Sequence, residues 1–207
     1  MRPWIHLPVP ELLRRSPTEI AASLAAAQMA RRLSGEPAQL HAWEAEVALL
    51  QRVLSDPLWQ GASVALEYDM LRLEKRIDAV LLTQRAIFVL EFKMGAGGVA
   101  AGDLAQVEDY AQDLWDFHAA SRNHPILPML VATDAKHLPP LQLGIPIPGV
   151  APVAVANATT LGWKSARRNM PARGWSWMRS AWPGVATWCA APRAGGAAAS
   201  PGAAGSR

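Results

Sequence analysis

At 207 residues with a 51% apolar share, the chain has enough material for one domain with a buried core, followed by a tail. Its single cysteine, Cys189, excludes a disulfide framework and any cysteine-based metal site, and no run of 18 apolar residues argues for a membrane span. The net charge of +3 is unevenly spread: residues 1–161 hold 13 Lys/Arg against 17 acids, while residues 162–207 hold seven Lys/Arg and no acid. The basic balance therefore belongs to the C-terminal part and says little for nucleic-acid binding by the rest. Pro3, Pro8 and Pro10 interrupt any N-terminal leader pattern, so a cytoplasmic location is expected.

In chain order, residues 1–36 read as an N-terminal helical extension. Ser16 caps its main helix, Pro17 suits the first helical position and Glu19 completes a capping box; the helix is expected to run to about Leu33 and stop near Gly35. A second helix begins at Pro37, runs to about Leu54 and is closed by Asp56-Pro57. Strands follow at 65–70, 76–82 and 87–93, then a glycine-rich loop, Gly95-Ala96-Gly97-Gly98. A third helix is expected over about Asp103–Ser121 with Asp103 as its cap, then buried strands at Ile126–Thr133 and Val150–Ala156, separated by a proline-rich loop. The expected fold class is α/β, with the order α-β-β-β-α-β, a mixed central sheet and helices on both faces. From residue 162 the chain becomes rich in Trp, Ala, Gly and Pro, and 162–207 is expected to be a poorly structured basic tail.

The two strands 76–82 and 87–93 carry the chemistry. A two-residue turn at Gln84-Arg85 places Asp78 directly opposite Glu91, with the two carboxylates about 5 Å apart. Like charges so placed repel unless something binds between them, and a hard divalent cation is the natural occupant. Glu91 and Lys93 share a strand face, so a cation site would have an ammonium beside it, an arrangement suited to metal-dependent phosphodiester chemistry. In the second helix, Trp43, Val47, Leu50, Val53 and Leu54 form an apolar stripe, and Glu46 lies within it. A carboxylate there is costly unless paired or metal-linked, which makes Glu46 the candidate helix acid and Glu44 the fallback.

Asp78…Glu91-x-Lys93 resembles the signature of the PD-(D/E)XK nuclease superfamily. The wider string Leu66-Glu67-Tyr68, Lys75-Arg76-Ile77-Asp78 and Phe88-Val89-Leu90-Glu91-Phe92-Lys93 is similar to the nuclease-like N-terminal domain of bacterial Schlafen-group DNA/RNA helicases. The similarity continues through Gln106-Val107-Glu108-Asp109-Tyr110 and Pro128–Thr133, and covers roughly residues 37–160, within a domain at 37–161. The resemblance implies a restriction-endonuclease-like sandwich and hydrolysis of DNA, with RNA possible, in phage defence or DNA repair. It implies Mg²⁺, with Mn²⁺ as a substitute, on Glu46, Asp78 and Glu91, with Lys93 assisting the attacking water. It further implies nucleic-acid contacts from Gln106 and Tyr110, which share a helical face, and a helicase partner. Arg76 is a phosphate-contact candidate, and equally an exposed strand arginine. Glu67 resembles a family position but reads as an outward strand residue paired with Lys75 or Arg76.

Other readings stay open. The chain contains no Gly-x-x-x-x-Gly-Lys-Ser/Thr phosphate loop, so helicase function is not expected of it. The alternative to an enzyme is a truncated or non-catalytic module that binds nucleic acid or a partner. His118, His124 and His137 lack metal-ligand spacing and read as structural or surface residues.

Overall fold

The computed structural model describes residues 2–31, 33, 37–70, 73–84, 86–139 and 149–161. The predicted tail at 162–207 and most of the proline-rich loop lie outside the described residues. A mixed six-stranded sheet runs in sequence order from β1 (Arg2–Pro8) through β2 (Ser63–Met70), β3 (Lys75–Leu82), β4 (Ile87–Lys93) and β5 (Ile126–Ala132) to β6 (Ala154–Ala156). The first four strands pair antiparallel; β4–β5 and β5–β6 pair parallel.

One face is covered by α1 (Val9–Leu12), α2 (Pro17–Ala30) and α3 (Pro37–Leu54), whose Leu12, Ile20, Leu24, Trp43, Val47 and Leu50 share a core with Val64, Leu66, Leu81 and Phe88. The other face is covered by α4 (Ala101–Phe117), through Val107, Tyr110, Ala111 and Leu114 against Val80, Val89 and Leu130. The β4–β5 crossover carries α4, as a parallel connection requires. No helix among the described residues is long and apolar enough to cross a membrane.

The capping box at Ser16 and Glu19 forms in full and starts α2 at Pro17. The helix ends at Ala30, earlier than Leu33, on a cap at Arg31 whose N–H bonds the Gln28 carbonyl. Residues 1–36 are not purely helical, however. Arg2–Pro8 forms β1 against β2, burying Trp4 and Leu7. Pro3 and Pro8 argue against a strand only when every N–H is needed; at a sheet edge one side of the ladder is free, and proline is tolerated. The chain start is thus built into the same sheet as the rest.

Helix α4 also departs from expectation. It begins at Ala101 on an Ala100 cap that makes no side-chain bond, and it gives way to a 3₁₀ turn at Ala119–Asn123. Asp103 lies in its first turn rather than at its cap, and its carboxylate faces Lys93. At the end of the chain, Val150 makes a single bridge to Ile126, and only Ala154–Ala156 forms the last strand.

Candidate functional site at the divergence of β3 and β4

The β3–β4 hairpin has the expected register, with its ladder running from Leu82–Ile87 to Ala79–Leu90. Beyond that the strands part company: Glu91, Phe92 and Lys93 pair with Leu130, Val131 and Ala132 of β5, while Lys75–Ile77 pair with β2. Asp78 stands at the fork. Its Oδ2 accepts the Phe92 N–H at 2.8 Å, standing in for the next backbone ladder bond. Gly95, at φ 72, then turns the chain immediately after Lys93, and its N–H donates to Thr133 Oγ1 at 2.8 Å.

Lys93, Glu91, Gln106 and Tyr110 form a closed network across β4 and α4. Lys93 Nζ donates to Glu91 Oε1 at 3.1 Å and to Gln106 Oε1 at 3.0 Å, and lies 3.5 Å from Asp103 Oδ1. Gln106 Nε2 is within reach of Glu91 Oε1 at 3.0 Å and of the Tyr110 hydroxyl at 2.8 Å. The four-residue spacing of Gln106 and Tyr110 puts both on the face of α4 that meets the sheet. Burial alone would lower the lysine, but the Glu91 hydrogen bond and the charges of Glu91 and Asp103 outweigh it and raise Lys93 above its ordinary value. Lys93 is therefore an ammonium held by two hydrogen bonds and a longer ion pair to Asp103. Asp103 is a member of this network that sequence reasoning assigned to capping; acids in a first helical turn serve either purpose, and only the fold distinguishes them.

The carboxylates are less well served. Glu91 is 5% exposed, and its Oε2 has no hydrogen-bond donor. Burial first, and then the Asp78 charge, push its carboxyl up to about 8. Burial also raises Asp78, against the Phe92 N–H, a hydrogen bond from the Glu91 carboxyl and the Lys93 charge, which lower it; the Asp78 and Glu91 carboxyls thus share a proton. Glu46, half-buried on α3, is pushed up to about 9 by burial and by the charges of Asp78, Glu67 and Glu91. Glu44 instead lies 3.6 Å from His41 on the outer side of the helix. The structure thus gathers Glu46, not Glu44, toward Asp78 and Glu91.

The carboxylates are near enough to oppose each other's ionisation, yet among the described residues no three His, Cys, Asp or Glu side chains sit close enough to hold a metal ion together. The three-carboxylate set expected from sequence is not pre-formed. Mutual repulsion is reason enough for bare carboxylates to stand apart. Asp78 and Glu91 could still hold a hard cation, since Mg²⁺ needs one or two carboxylates and completes its shell with water and phosphate oxygens. The donor-free Glu91 Oε2 is a buried lone-pair site that such an ion would satisfy.

Glu67 and Arg76 depart most from the sequence reading. Glu67 is 3% exposed rather than outward, and it pairs with Arg76, not Lys75. Trp43 Nε1 donates to its Oε1 at 2.6 Å. Burial pushes Glu67 up to about 7 despite the lowering effects of Arg76 and the Trp43 bond. The Arg76 guanidinium also lies 4.6 Å from the centre of the Trp4 ring, so its charge is already engaged by Glu67 and an aromatic face. Lys75 turns to the other face, bonding Asp113 at 2.7 Å. The burial of Glu67 and its bond from Trp43 are what the sequence did not reveal, because a strand glutamate beside basic residues has the pattern of a surface ion pair.

Comparison of the chain with protein-family models, with curated proteins and with solved structures found no match. The functional reading therefore rests on the residues and their geometry.

Proposed function

We propose that this protein is a metal-dependent nuclease of the PD-(D/E)XK type, with a restriction-endonuclease-like fold, acting on DNA. The observation that carries the reading is the fork of β3 and β4. Two neighbouring carboxyls, Asp78 and Glu91, are held there beside the Lys93 ammonium, with one buried Glu91 oxygen lacking any donor.

Asp78 and Glu91 would hold Mg²⁺ or Mn²⁺, with Glu46 the nearest further carboxylate on α3. When bound, such an ion polarises a phosphate oxygen and lowers the pKa of water toward neutrality. The chain's own residues do the rest. Lys93, protonated and aimed by Gln106, hydrogen-bonds the charge that builds on the phosphate as a water oxygen bonds to phosphorus, the P–O bond to the departing nucleotide breaks and the water's proton passes through solvent to the departing oxygen. Its raised pKa favours this role over that of a general base. Gln106 fixes Lys93 through its carbonyl and leans on Tyr110 through its amide, so the pair acts first on the lysine and only then on substrate. Arg76 is committed to Glu67 and Trp4, which argues against a primary phosphate contact.

The test is cleavage of end-labelled single- and double-stranded DNA, and of RNA, with Mg²⁺ or Mn²⁺, beside EDTA and Lys93→Ala controls. Metal-dependent cutting that disappears in Lys93→Ala supports the reading. A folded protein that binds metal and nucleic acid but never cuts would instead favour a non-catalytic module, a role to which a fully engaged Lys93 is also suited. Co-purification of a helicase subunit would support coupling of the proposed cleavage to a motor.

A further inference from the structure

Side chains of a regular strand alternate between the two faces of its sheet. In β2 that alternation reverses: Leu66 belongs to the core under α2 and α3, whereas Tyr68 and Met70 belong to the core under α4. The reversal is matched in β3, where Ala79 and Leu81 lie on the α3 side but Ile77 on the α4 side. Leu66 pairs with Ala79 and Tyr68 with Ile77, so the residues at the reversal, Glu67 and Asp78, stand opposite each other. Glu67 carries the backbone signature, φ 50, in the left-handed region that non-glycine strand residues rarely enter.

The strained residue is clamped from the α3 face, by the Trp43 indole at 2.6 Å and by the Arg76 guanidinium. On β1, Trp4 stands opposite Glu67, between the Pro3–Tyr68 and Ile5–Leu66 pairs. Its ring lies between the guanidinium groups of Arg31 and Arg76, at 5.1 and 4.6 Å, and its indole donates to Asp69 at 2.8 Å. An unbroken alternation would place Asp78 on the α4 face, in line with Val80 and on the same side as Glu91. The reversal instead leaves it at the fork, where it bonds the Phe92 N–H and influences both Glu91 and Glu46.

We propose that Glu67 is a positioning residue for Asp78: clamped by Trp43 and Arg76, it holds the strand reversal that turns the Asp78 carboxyl off the α4 face, onto the Phe92 N–H and within reach of Glu46 as well as Glu91. The role rests on the nuclease reading, in which Asp78 holds the metal.

The experiment compares wild type with Glu67→Ala and Glu67→Gln in three readouts: Mn²⁺ affinity without nucleic acid, kcat and KM on labelled DNA, and melting temperature. In Glu67→Ala, Mn²⁺ affinity and kcat fall roughly 10–100-fold. KM for DNA stays within about threefold, and the losses occur at a melting temperature that leaves the protein folded throughout. Glu67→Gln, which keeps an acceptor for Trp43 but loses the charge toward Arg76, shows a smaller loss in the same two quantities. Wild-type Mn²⁺ affinity and kcat in a folded Glu67→Ala protein would overturn the proposal. If Glu67→Ala does not fold, Glu67→Gln decides: weakened Mn²⁺ binding at a retained melting temperature supports the role, and unchanged binding overturns it. A wild type that neither binds Mn²⁺ nor cuts removes the nuclease reading and this role with it. An active wild type with indifferent Glu67 variants removes this role alone.

Discussion

The two sides of the fork are built on opposite electrostatic plans. On the α4 side, Lys93 is held by two hydrogen bonds and an ion pair, and Gln106 and Tyr110 are joined to it in one network. On the α3 side, Glu46 makes no hydrogen bond or ion pair among the described residues, and its carboxyl is opposed by those of Asp78, Glu67 and Glu91. The first side gains stability from its own contacts. The second holds unfavourable charge that something else must neutralise, either protons or a cation. In the proposed reading, a site that keeps one side satisfied and one side wanting takes a cation in a fixed place.

The largest expected effect comes from breaking the satisfied side. Lys93→Ala should lower the cleavage rate by roughly 100- to 1000-fold, the range for removing a group that meets developing charge. Mn²⁺ affinity should be kept or improved in the same variant, since a competing cation leaves Glu91. A single-turnover assay and a Mn²⁺ titration on one preparation check both halves, and a parallel loss of the two would refute the asymmetry.

Asp78→Asn should do the reverse. It removes like charge facing Glu91, so the metal-free protein should melt no lower than wild type, while Mn²⁺ affinity drops by at least about tenfold. Calorimetry with and without metal separates the two effects. A metal-free protein strongly destabilised by this change would show that Asp78 is chiefly a structural acceptor for the Phe92 N–H.

The pH dependence follows from the same contrast. Glu46 and Glu91, raised from an ordinary 4.5 to about 9 and about 8, keep protons in the folded chain that the unfolded chain releases. Their contribution to stability is complete below about pH 4.5 and is lost as pH rises through 8 to 9. Denaturant titrations across that window should show metal-free stability falling with pH. Saturating Mg²⁺ should flatten the slope, because a bound cation does the neutralising instead of protons. An unchanged slope would place the ion elsewhere.

The smallest effect is expected at Tyr110, which touches the lysine only through Gln106. Tyr110→Phe removes one hydrogen bond, at a cost of about 0.5–1.5 kcal/mol in stability. Its effect on cleavage should be less than that of Gln106→Ala, which leaves Lys93 without its aiming carbonyl. Equal effects would mean that the tyrosine itself meets the substrate.

What sequence could read in this site was what local spacing determines. The turn register brings Asp78 near Glu91, helical spacing stacks Gln106 over Tyr110, and the apolar stripe of α3 singles out Glu46 over Glu44. What it could not read came from pairing distant segments. Strand β1 hides behind Pro3 and Pro8 because an edge strand is recognised only once its partner is known. The burial of Glu67 depends on a reversal shared by β2 and β3, and a period-two pattern assumes that no such reversal occurs. Asp103 has the sequence signature of a cap, and its attachment to Lys93 appears only when the crossover has folded back over the sheet.

The bond from the Phe92 N–H to Asp78 has a use of its own. In most of a sheet an amide proton is shielded by a carbonyl whose basicity never changes, so its exchange with deuterium reports the opening of the fold. At Phe92 the acceptor is a titratable side chain, the same carboxyl that is proposed to hold the cation. The exchange rate of that one amide, compared with its strand neighbour Leu90, would report the condition of the Asp78 carboxyl before any substrate is added. The chain carries, in its own backbone, a gauge of whether the site is filled.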